Sequence, residues 1–218
     1  AVFDYLDVDV TERVADGAGV APGDALLRVR GPATAVLRGE RVAVNVAAHA
    51  SGVATATDAA VAAAREVDDD VRVAATRKTT PGLRGVEKRA VAAAGGDTHR
   101  LDLSHMVMVK DNHVAELGLT EAIERFRERA SFATNVEVEV EGPDAAARAA
   151  AAGADVVLLD NMTPAETAAA VDRVRGRDAD ALTEASGGIT VETVPDYAAT
   201  GVDVISMGGL THSAPALD

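Results

Sequence analysis

Short apolar runs alternate with amphipathic, alanine-rich stretches over most of the chain. From about residue 67 onward, each apolar run is followed by a polar loop and then by a stretch with helical periodicity. Strands that alternate with helices in this way are typical of parallel β/α units. The candidate strands are Val71–Ala75, Met106–Val109, Val136–Val140, Val156–Leu159, Leu182–Ala185 and Val204–Met207. The candidate helices lie near residues 85–94, 117–130, 143–152, 164–175 and 191–199.

The first part of the chain has a different pattern. Two short β-prone runs, Val8–Val10 and Leu26–Val29, are separated by Gly/Pro turns, and residues 33 to about 66 have a helical composition. The Ser51-Gly52 dipeptide indicates a possible break in that helix. We therefore predict an N-terminal α/β domain over residues 1–50 and a β/α domain over residues 51–218.

The residues that follow the predicted strands distinguish between two β/α architectures. In a barrel, the loops at the carboxyl ends of all strands converge on one face. A doubly wound sheet concentrates functional groups at a single switch point instead. Every predicted strand here carries or leads into chemically capable groups, which favours a barrel-like fold of six strands without settling its closure. These groups are Thr76-Arg77-Lys78, Lys110-Asp111-Asn112-His113, Glu137 to Glu141, Asp160-Asn161, Ser186-Gly187-Gly188 and Gly208 to His212.

The charge distribution points to a salt-adapted protein with an anionic ligand. The formal net charge is −14, and only three of the 21 basic residues are lysines. Scattered acids with so few lysines favour adaptation to high salt. Residues 76–113 reverse this balance, with seven basic residues against four acids and all three lysines. A nucleic-acid partner is excluded because the surrounding field is repulsive and aromatic residues make up only 2% of the chain.

Three further function classes are excluded by composition. The chain has no cysteine, which excludes a disulfide-stapled scaffold and a thiol nucleophile. No apolar run reaches the roughly 18 residues needed to span a membrane. No charged and then apolar leader is visible, and we expect a cytoplasmic protein.

Alternating carboxylates suggest a metal site. Glu137, Glu139 and Glu141 alternate with valines and so share one face of a strand. The alternative is an edge strand with a solvated acidic face. Inside a barrel, however, acids on one face need a cation or a ligand hydroxyl to bind. Glu139, together with Asp160 on the next strand, would form a hard-oxygen site suited to Mg²⁺.

Glycine pairs and clustered cations suggest where anions bind. The glycines after the last two strands would let backbone N–H groups approach a phosphate, although ordinary turns before a helix would use glycine as well. The cations of the first two strand ends and their connection could converge on one pocket. Such a group suits a dicarboxylate, because Arg forks bind carboxylates bidentately, although isolated surface charges are the plain alternative. The cations are Arg77, Lys78, His99, Arg100 and Lys110.

Several sequence motifs strongly resemble the quinolinate phosphoribosyltransferase family. The most specific are TRKTTPGLR from Thr76 to Arg84 and KDNH from Lys110 to His113, and the resemblance covers nearly the whole chain. Other matching segments are Glu87-Lys88, Gly95-Gly96, His99-Arg100, Glu137–Glu139, Leu159–Met162, Glu184–Ile189, Gly201–Asp203 and Leu210–Ser213. The resemblance implies an α/β fold with a partial N-terminal α/β domain and an open, TIM-like β/α barrel.

The resemblance also implies a reaction and a set of site residues. Phosphoribosyl would pass from phosphoribosyl pyrophosphate to quinolinate with loss of CO2 and pyrophosphate, in the presence of Mg²⁺. Arg77, His99, Arg100 and Lys110 would hold the quinolinate carboxylates, with Thr76 beside them. Catalytic roles would fall to Lys78, between the acid and the pyrophosphate, and to Glu139 and Asp160, which would bind ribose hydroxyls and the metal. Ser186, Gly187, Gly208 and His212 would hold phosphate.

The resemblance further implies a homodimer or hexamer with shared active sites, in which Arg41 enters the site of the neighbouring subunit. Two alternatives stay open at this point. One is a related phosphoribosyltransferase-like protein with another acceptor. The other is a non-catalytic phosphosugar-binding barrel, against which the acids and cations on all six strand ends argue.

Overall fold

A parallel six-stranded sheet forms the body of the protein in a computed structural model, which describes residues 1–176 and 180–218. The strand order is β3-β8-β7-β6-β5-β4. That order is the one of a β/α barrel opened between its first and second strands, so the predicted barrel is confirmed. In chain order the elements are α1 (Val2–Tyr5), β1 (Asp9–Arg13), β2 (Leu27–Arg30), α2 (Ala33–Arg65), β3 (Arg72–Ala75), α3 (Arg84–Ala93), β4 (Val107–Val109), α4 (Asp111–Leu117), α5 (Leu119–Arg129), β5 (Val136–Val140), α6 (Pro143–Ala151), β6 (Val156–Asp160), α7 (Pro164–Arg175), β7 (Leu182–Ser186), α8 (Val194–Ala198), β8 (Val204–Met207) and α9 (Gly209–His212).

The barrel is open between β3 and β4. In the described residues, a single bridge between Ala74 and Asp97 stands where a closed barrel would have a ladder. The amide of Ala75 donates to the carbonyl of Asp97 at 2.9 Å, and the amide of Asp97 donates to the carbonyl of Val73 at 2.8 Å. We call this junction the seam. The connection that leads from β3 to β4 therefore completes the wall of the barrel.

The apolar core lies between the sheet and the outer helices. Val136, Val138 and Val140 on β5 are buried in the same cluster as Ala146 and Ala149 on α6. Burying a valine stabilises a fold by roughly 1.5–3 kcal/mol, and alanines let a helix lie close to the sheet. The opposite strand face points into the barrel, which is where the polar residues lie.

The predicted break in the long helix is wrong. Helix α2 is continuous through Gly52, spans about 50 Å at 1.5 Å per residue and crosses the predicted domain boundary at residue 50. A Cβ atom on Gly52 would lie 1.9 Å from the carbonyl oxygen of Pro215. Close by, the amide of Leu217 donates to the carbonyl of Ala48 at 3.0 Å. The glycine therefore serves close packing of the C-terminal segment and does not interrupt the helix.

A second difference concerns the segment after β4. Asp111–Leu117, expected as a loop, forms helix α4, and the helix predicted near residues 117–130 begins at Leu119. Gly118 separates the two helices. Its φ of 81° lies outside the helical range and in a region that favours glycine. In the described part of the chain, no helix combines the length and apolar character needed to cross a membrane.

Candidate active site

One cavity of about 570 Å³ opens at the carboxyl ends of the barrel strands. The strands converge there, so side chains far apart in sequence share one pocket. The lining residues are Thr76, Arg77, Lys78, Arg84, His99, Arg100, Met108, Lys110, Glu137, Glu139, Leu158, Asp160, Asn161, Glu184, Ser186 and Ser206.

Strand alternation explains most of this lining. Successive side chains of a strand point to opposite faces, so residues two apart point the same way. Four strand ends contribute such pairs to the cavity: Met108 and Lys110, Glu137 and Glu139, Leu158 and Asp160, and Glu184 and Ser186. The inner residue of each pair forms the floor, and the outer residue forms the rim.

Two guanidinium groups have unused hydrogen-bonding capacity in the cavity. The buried Nε of Arg77 has no hydrogen-bond partner in the described part of the chain. Arg100 is 7% exposed, and its Nη2 donates only to the thioether sulfur of Met108, a weak acceptor, at 2.8 Å. Burial lowers the pKa of Arg100, and the nearby charge of Arg77 acts in the same direction. Such donors indicate a site for an anion with several oxygens.

His99 meets two glutamates on the cavity floor. Its Nε2 lies 3.0 Å from an oxygen of Glu184 and 3.6 Å from an oxygen of Glu137. Burial lowers the pKa of His99, but the hydrogen bond to Glu184 and the charges of both glutamates outweigh burial and raise the pKa above its ordinary value. Imidazole nitrogens both donate when protonated. The Glu184 contact therefore favours a charged His99.

Glu137 is fully buried, and neither of its carboxyl oxygens has a hydrogen-bond partner among the described residues. Burial, together with repulsion by Glu184, raises the pKa of Glu137 to about 7, although His99, Arg100 and Lys110 oppose the shift. With His99 and Glu184 it forms the one cluster of potential metal-ligating groups found among residues 1–176 and 180–218. Because a charged His99 is itself a member of the cluster and Arg100 lies close by, a divalent cation is disfavoured there.

The two acids predicted to bind metal and ribose lie at the rim on adjacent strands. Glu139 on β5 forms an ion pair with Lys110, while Asp160 on β6 accepts from the side-chain amide of Asn161 at 2.7 Å. Both line the cavity. Glu141, the third member of the alternating series, follows the end of β5 and is exposed outside the cavity. The acidic series thus divides into floor, rim and surface positions.

Glycines next to the rim bring backbone and side chains close together. Gly187 has a φ of 106°, and a Cβ there would lie 2.3 Å from Oδ1 of Asn161. A Cβ on Gly208 would lie 3.0 Å from Nε2 of His212 and 3.3 Å from the Lys78 side chain. A β carbon at Gly187 would therefore disrupt the rim, and one at Gly208 would crowd the space beside Lys78.

Most of the residues predicted for the site line one cavity. Gly187, Gly208 and His212 adjoin it without lining it, and Arg41 is exposed on α2, away from it. The site prediction omitted Arg84, Met108, Glu137, Leu158, Asn161, Glu184 and Ser206. Strand alternation, counted back two residues from Lys110, Glu139, Asp160 and Ser186 of the predicted site, would have found Met108, Glu137, Leu158 and Glu184.

Family comparisons agree with the motifs. Residues 1–51 match the model of the quinolinate phosphoribosyl transferase N-terminal domain, and residues 53–218 match that of the C-terminal domain. The chain belongs to the quinolinate phosphoribosyltransferase family. The human nicotinate-nucleotide pyrophosphorylase (carboxylating), one relative, is 46% identical over 219 residues, which cover 100% of this chain and 74% of the human protein.

Other members of the family agree in sequence and in structure. A relative from Archaeoglobus fulgidus, named as a probable nicotinate-nucleotide pyrophosphorylase (carboxylating), is 47% identical, covering 100% of this chain and 84% of that protein. The crystal structure of NadC from Streptococcus pyogenes superimposes with a TM-score of 0.91 at 42% identity, covering 99% of this chain and 76% of that one. These coverages show that the family fold extends over the whole described chain.

Proposed function

We propose that this protein transfers phosphoribosyl from phosphoribosyl pyrophosphate to quinolinate, releasing pyrophosphate and CO2 and forming nicotinate mononucleotide for NAD biosynthesis. One juxtaposition carries the proposal. The incompletely bonded guanidinium groups of Arg77 and Arg100 share a single cavity with the carboxylates of Glu139 and Asp160. A dicarboxylate acceptor needs the two guanidinium groups, and a ribosyl donor with free hydroxyls needs the two carboxylates.

The cations bind and orient the acceptor. His99 contacts the floor glutamates, Arg100 contacts Met108 on the floor, and Arg77 lines the same cavity. Each can donate to a carboxylate oxygen. The acceptor ring nitrogen forms the new bond to C1 of the ribose as the bond from C1 to pyrophosphate breaks. The carboxylate next to that nitrogen then leaves as CO2, and its bonding electrons return to the ring carbon, which takes up a proton from solvent. Little acid–base chemistry by the protein is needed, so positioning and electrostatics dominate catalysis.

The acids at the rim act on the donor. Glu139 and Asp160 would accept hydrogen bonds from ribose hydroxyls and stabilise the positive charge that develops at C1. Lys78 is the next residue after Arg77, and its side chain lies beside Gly208. Its ammonium group can therefore reach both the acceptor and the pyrophosphate. Ser186, Gly187, Gly208 and His212 would hold phosphate oxygens.

Mg²⁺ fits the same rim. Glu139 and Asp160 supply hard carboxylate oxygens from adjacent strands, which is the donor chemistry that Mg²⁺ prefers, and its usual retained waters need no further protein ligand. When bound, the ion would neutralise the departing pyrophosphate. Glu139 also pairs with Lys110, so the ion would share this carboxylate with the ammonium. Glu137 belongs to the floor cluster with His99 and Glu184 and is not part of this proposed site.

The proposed assembly is a homodimer, or a multiple of it, with shared active sites. Arg41 is exposed on α2 and lies outside the cavity of its own chain. Exposed apolar side chains lie one turn before and one turn after it on the same helix face, with Leu37 70% and Val44 48% exposed. An apolar helix face with an arginine at its centre is the composition of an interface. We place Arg41 in the partner's cavity.

One assay tests the function. The purified protein is incubated with phosphoribosyl pyrophosphate, Mg²⁺ and quinolinate carrying a labelled 2-carboxylate, and CO2 and nicotinate mononucleotide are measured together. Nicotinate replaces quinolinate as the matched control, since it lacks the departing carboxylate. Equimolar CO2 and mononucleotide from quinolinate alone support the proposal. Product from another acceptor would indicate a related transferase, and ligand binding without product would indicate a binding protein.

A further inference from the structure

Lys88 is a buried cation that lies close to the seam. It lies on α3, is 2% exposed and forms no ion pair in the part of the chain that the structure describes. Its ammonium group donates to two main-chain carbonyls, those of Ala75, at 3.1 Å, and of Thr98. A charged donor forms unusually strong hydrogen bonds, so this ammonium links two backbone segments firmly.

The two carbonyls belong to opposite sides of the seam. Ala75 is the last residue of β3, and Arg77 follows two positions later. Thr98 follows the single bridge at Asp97 and leads directly into His99 and Arg100. Because β3 and β4 share no ladder, the relative position of these loops depends on that bridge and on side chains that span the seam, Lys88 and Arg84. Arg84 is partly exposed and donates to the carbonyls of Arg77, at 3.3 Å, and of Leu101, at 3.2 Å.

Burying a charged lysine costs free energy on folding, which argues that Lys88 has a specific role. Burial lowers the pKa of Lys88 to about 8, and repulsion by Arg84 and Arg100 adds to this, while Asp97 and Glu87 oppose it. The protein uses lysine at only three of its 21 basic positions. A compact ammonium can donate to two carbonyls at once, whereas a planar guanidinium presents its donors in a different, fixed geometry.

We propose that Lys88 is a positioning residue that holds the Arg77 loop and the Arg100 loop at a set spacing across the seam, so that both guanidinium groups face one dicarboxylate. The proposal deepens the proposed function and rests on it for the identity of the dicarboxylate. The tie between the loops is independent of any ligand.

Amide hydrogen exchange tests the tie directly. Lys88→Met keeps the apolar stem and removes the donors. We expect the amides of Ala75 and Asp97, both hydrogen-bonded in the seam, to exchange at least about tenfold faster in this variant, with the β5–β6 amides unchanged. Arg89→Met is the matched control, since Arg89 is the next residue on α3 but is exposed and paired with Asp16. Unchanged seam amides, or uniformly faster exchange over the whole sheet, would overturn the proposal.

Kinetics test the positioning role. Lys88→Met should raise KM for quinolinate at least about tenfold with a much smaller change in kcat, because misplaced cations weaken acceptor binding before they affect bond breaking. Lys88→Arg, which keeps the charge but not the shape, should show the same KM defect, while Arg89→Met should not. A wild-type KM in Lys88→Met overturns the positioning role. If even the wild type lacks transferase activity, the proposed function fails, while the exchange result still decides whether the tie exists.

Discussion

The Nε2 atom of His99 lies 3.0 Å from a carboxylate oxygen of Glu184, although the two residues are 85 positions apart in sequence. His99 has a φ of 51°, uncommon for a residue other than glycine, and its amide donates to Oδ1 of Asp97 at 2.7 Å. The backbone and the Nε2 contact together orient the ring, which leaves Nδ1 for a ligand. A carboxylate that orients an imidazole also determines which ring nitrogen carries the proton.

The first prediction concerns the charge of His99. Glu184→Gln keeps an acceptor oxygen but removes the negative charge that raises the pKa of His99, so this pKa should fall toward or below its ordinary value of 6.5. An NMR titration of the His99 ring protons measures it, with exposed Glu141→Gln as control. Quinolinate affinity should be full below the pKa of His99 and should weaken as the pH rises through this pKa. In the variant the loss of affinity should occur at a lower pH than in the wild type. An identical titration in both proteins would contradict this account.

The second prediction concerns the dicarboxylate. Arg100→Ala should weaken quinolinate binding by about 2–5 kcal/mol, because a buried carboxylate loses its charged partner. Lys110→Ala should act in the same direction but less strongly, since the Lys110 side chain is 41% exposed. Calorimetric titration measures both. Arg125→Ala, which removes an exposed arginine paired with Glu121 on α5, is the control. Wild-type affinity in the two site variants would refute the assignment.

The third prediction concerns the metal. Asp160→Asn preserves the shape of the side chain and removes a hard anionic ligand, so half-maximal activity should require a higher Mg²⁺ concentration. A Mg²⁺ titration of initial rates at saturating substrates measures the shift. Glu141→Gln, which removes an exposed acid next to the same rim, should titrate like the wild type. If the Asp160 variant does too, the metal binds elsewhere.

The fourth prediction concerns salt. Outside residues 76–113 the chain carries 31 acids against 14 basic residues, and their repulsion opposes folding in dilute buffer. Molar salt reduces the screening length to about 3 Å, so the thermal midpoint should rise with KCl. Scanning calorimetry between low and molar KCl provides the measurement. A midpoint that does not change over this range would refute the salt-adapted interpretation.

The fifth prediction concerns the shared site. If Arg41 acts in the partner's cavity, Arg41→Ala and Arg100→Ala, the second a change at a buried residue of the chain's own cavity, should each be nearly inactive alone. In a mixed dimer one site carries both lesions and the other carries none, so random reassortment should restore about a quarter of wild-type activity. Activity after mixing and re-equilibration is the measurement. No recovery would mean that Arg41 acts within its own chain or not at all.

Local patterns were sufficient for most of the fold. The strands Val136–Val140 and Val204–Met207 begin and end where apolar periodicity predicts, and the other barrel strands differ by one residue. Side-chain alternation is equally local, so the strand pattern already separates inward from outward positions. The cations at residues 76–113 were visible as a reversal of charge in an acidic chain.

Residue types, periodicity and charge thus determined by themselves that this chain builds a β/α barrel with an anion site at one end. Only the tertiary structure decided which groups meet. In the local sequence Gly52 indicates a helix break. In the folded chain the backbone of Pro215 packs so close to it that a side chain at position 52 would clash. In the sequence Glu184 is one of several acids on the strands, and Lys88 is a charge on a helix. In the folded chain Glu184 contacts His99, and Lys88 donates to the carbonyl of Ala75. The reason is physical: periodicity is set by neighbours along the chain, whereas desolvation and hydrogen bonding depend on residues that folding alone brings together.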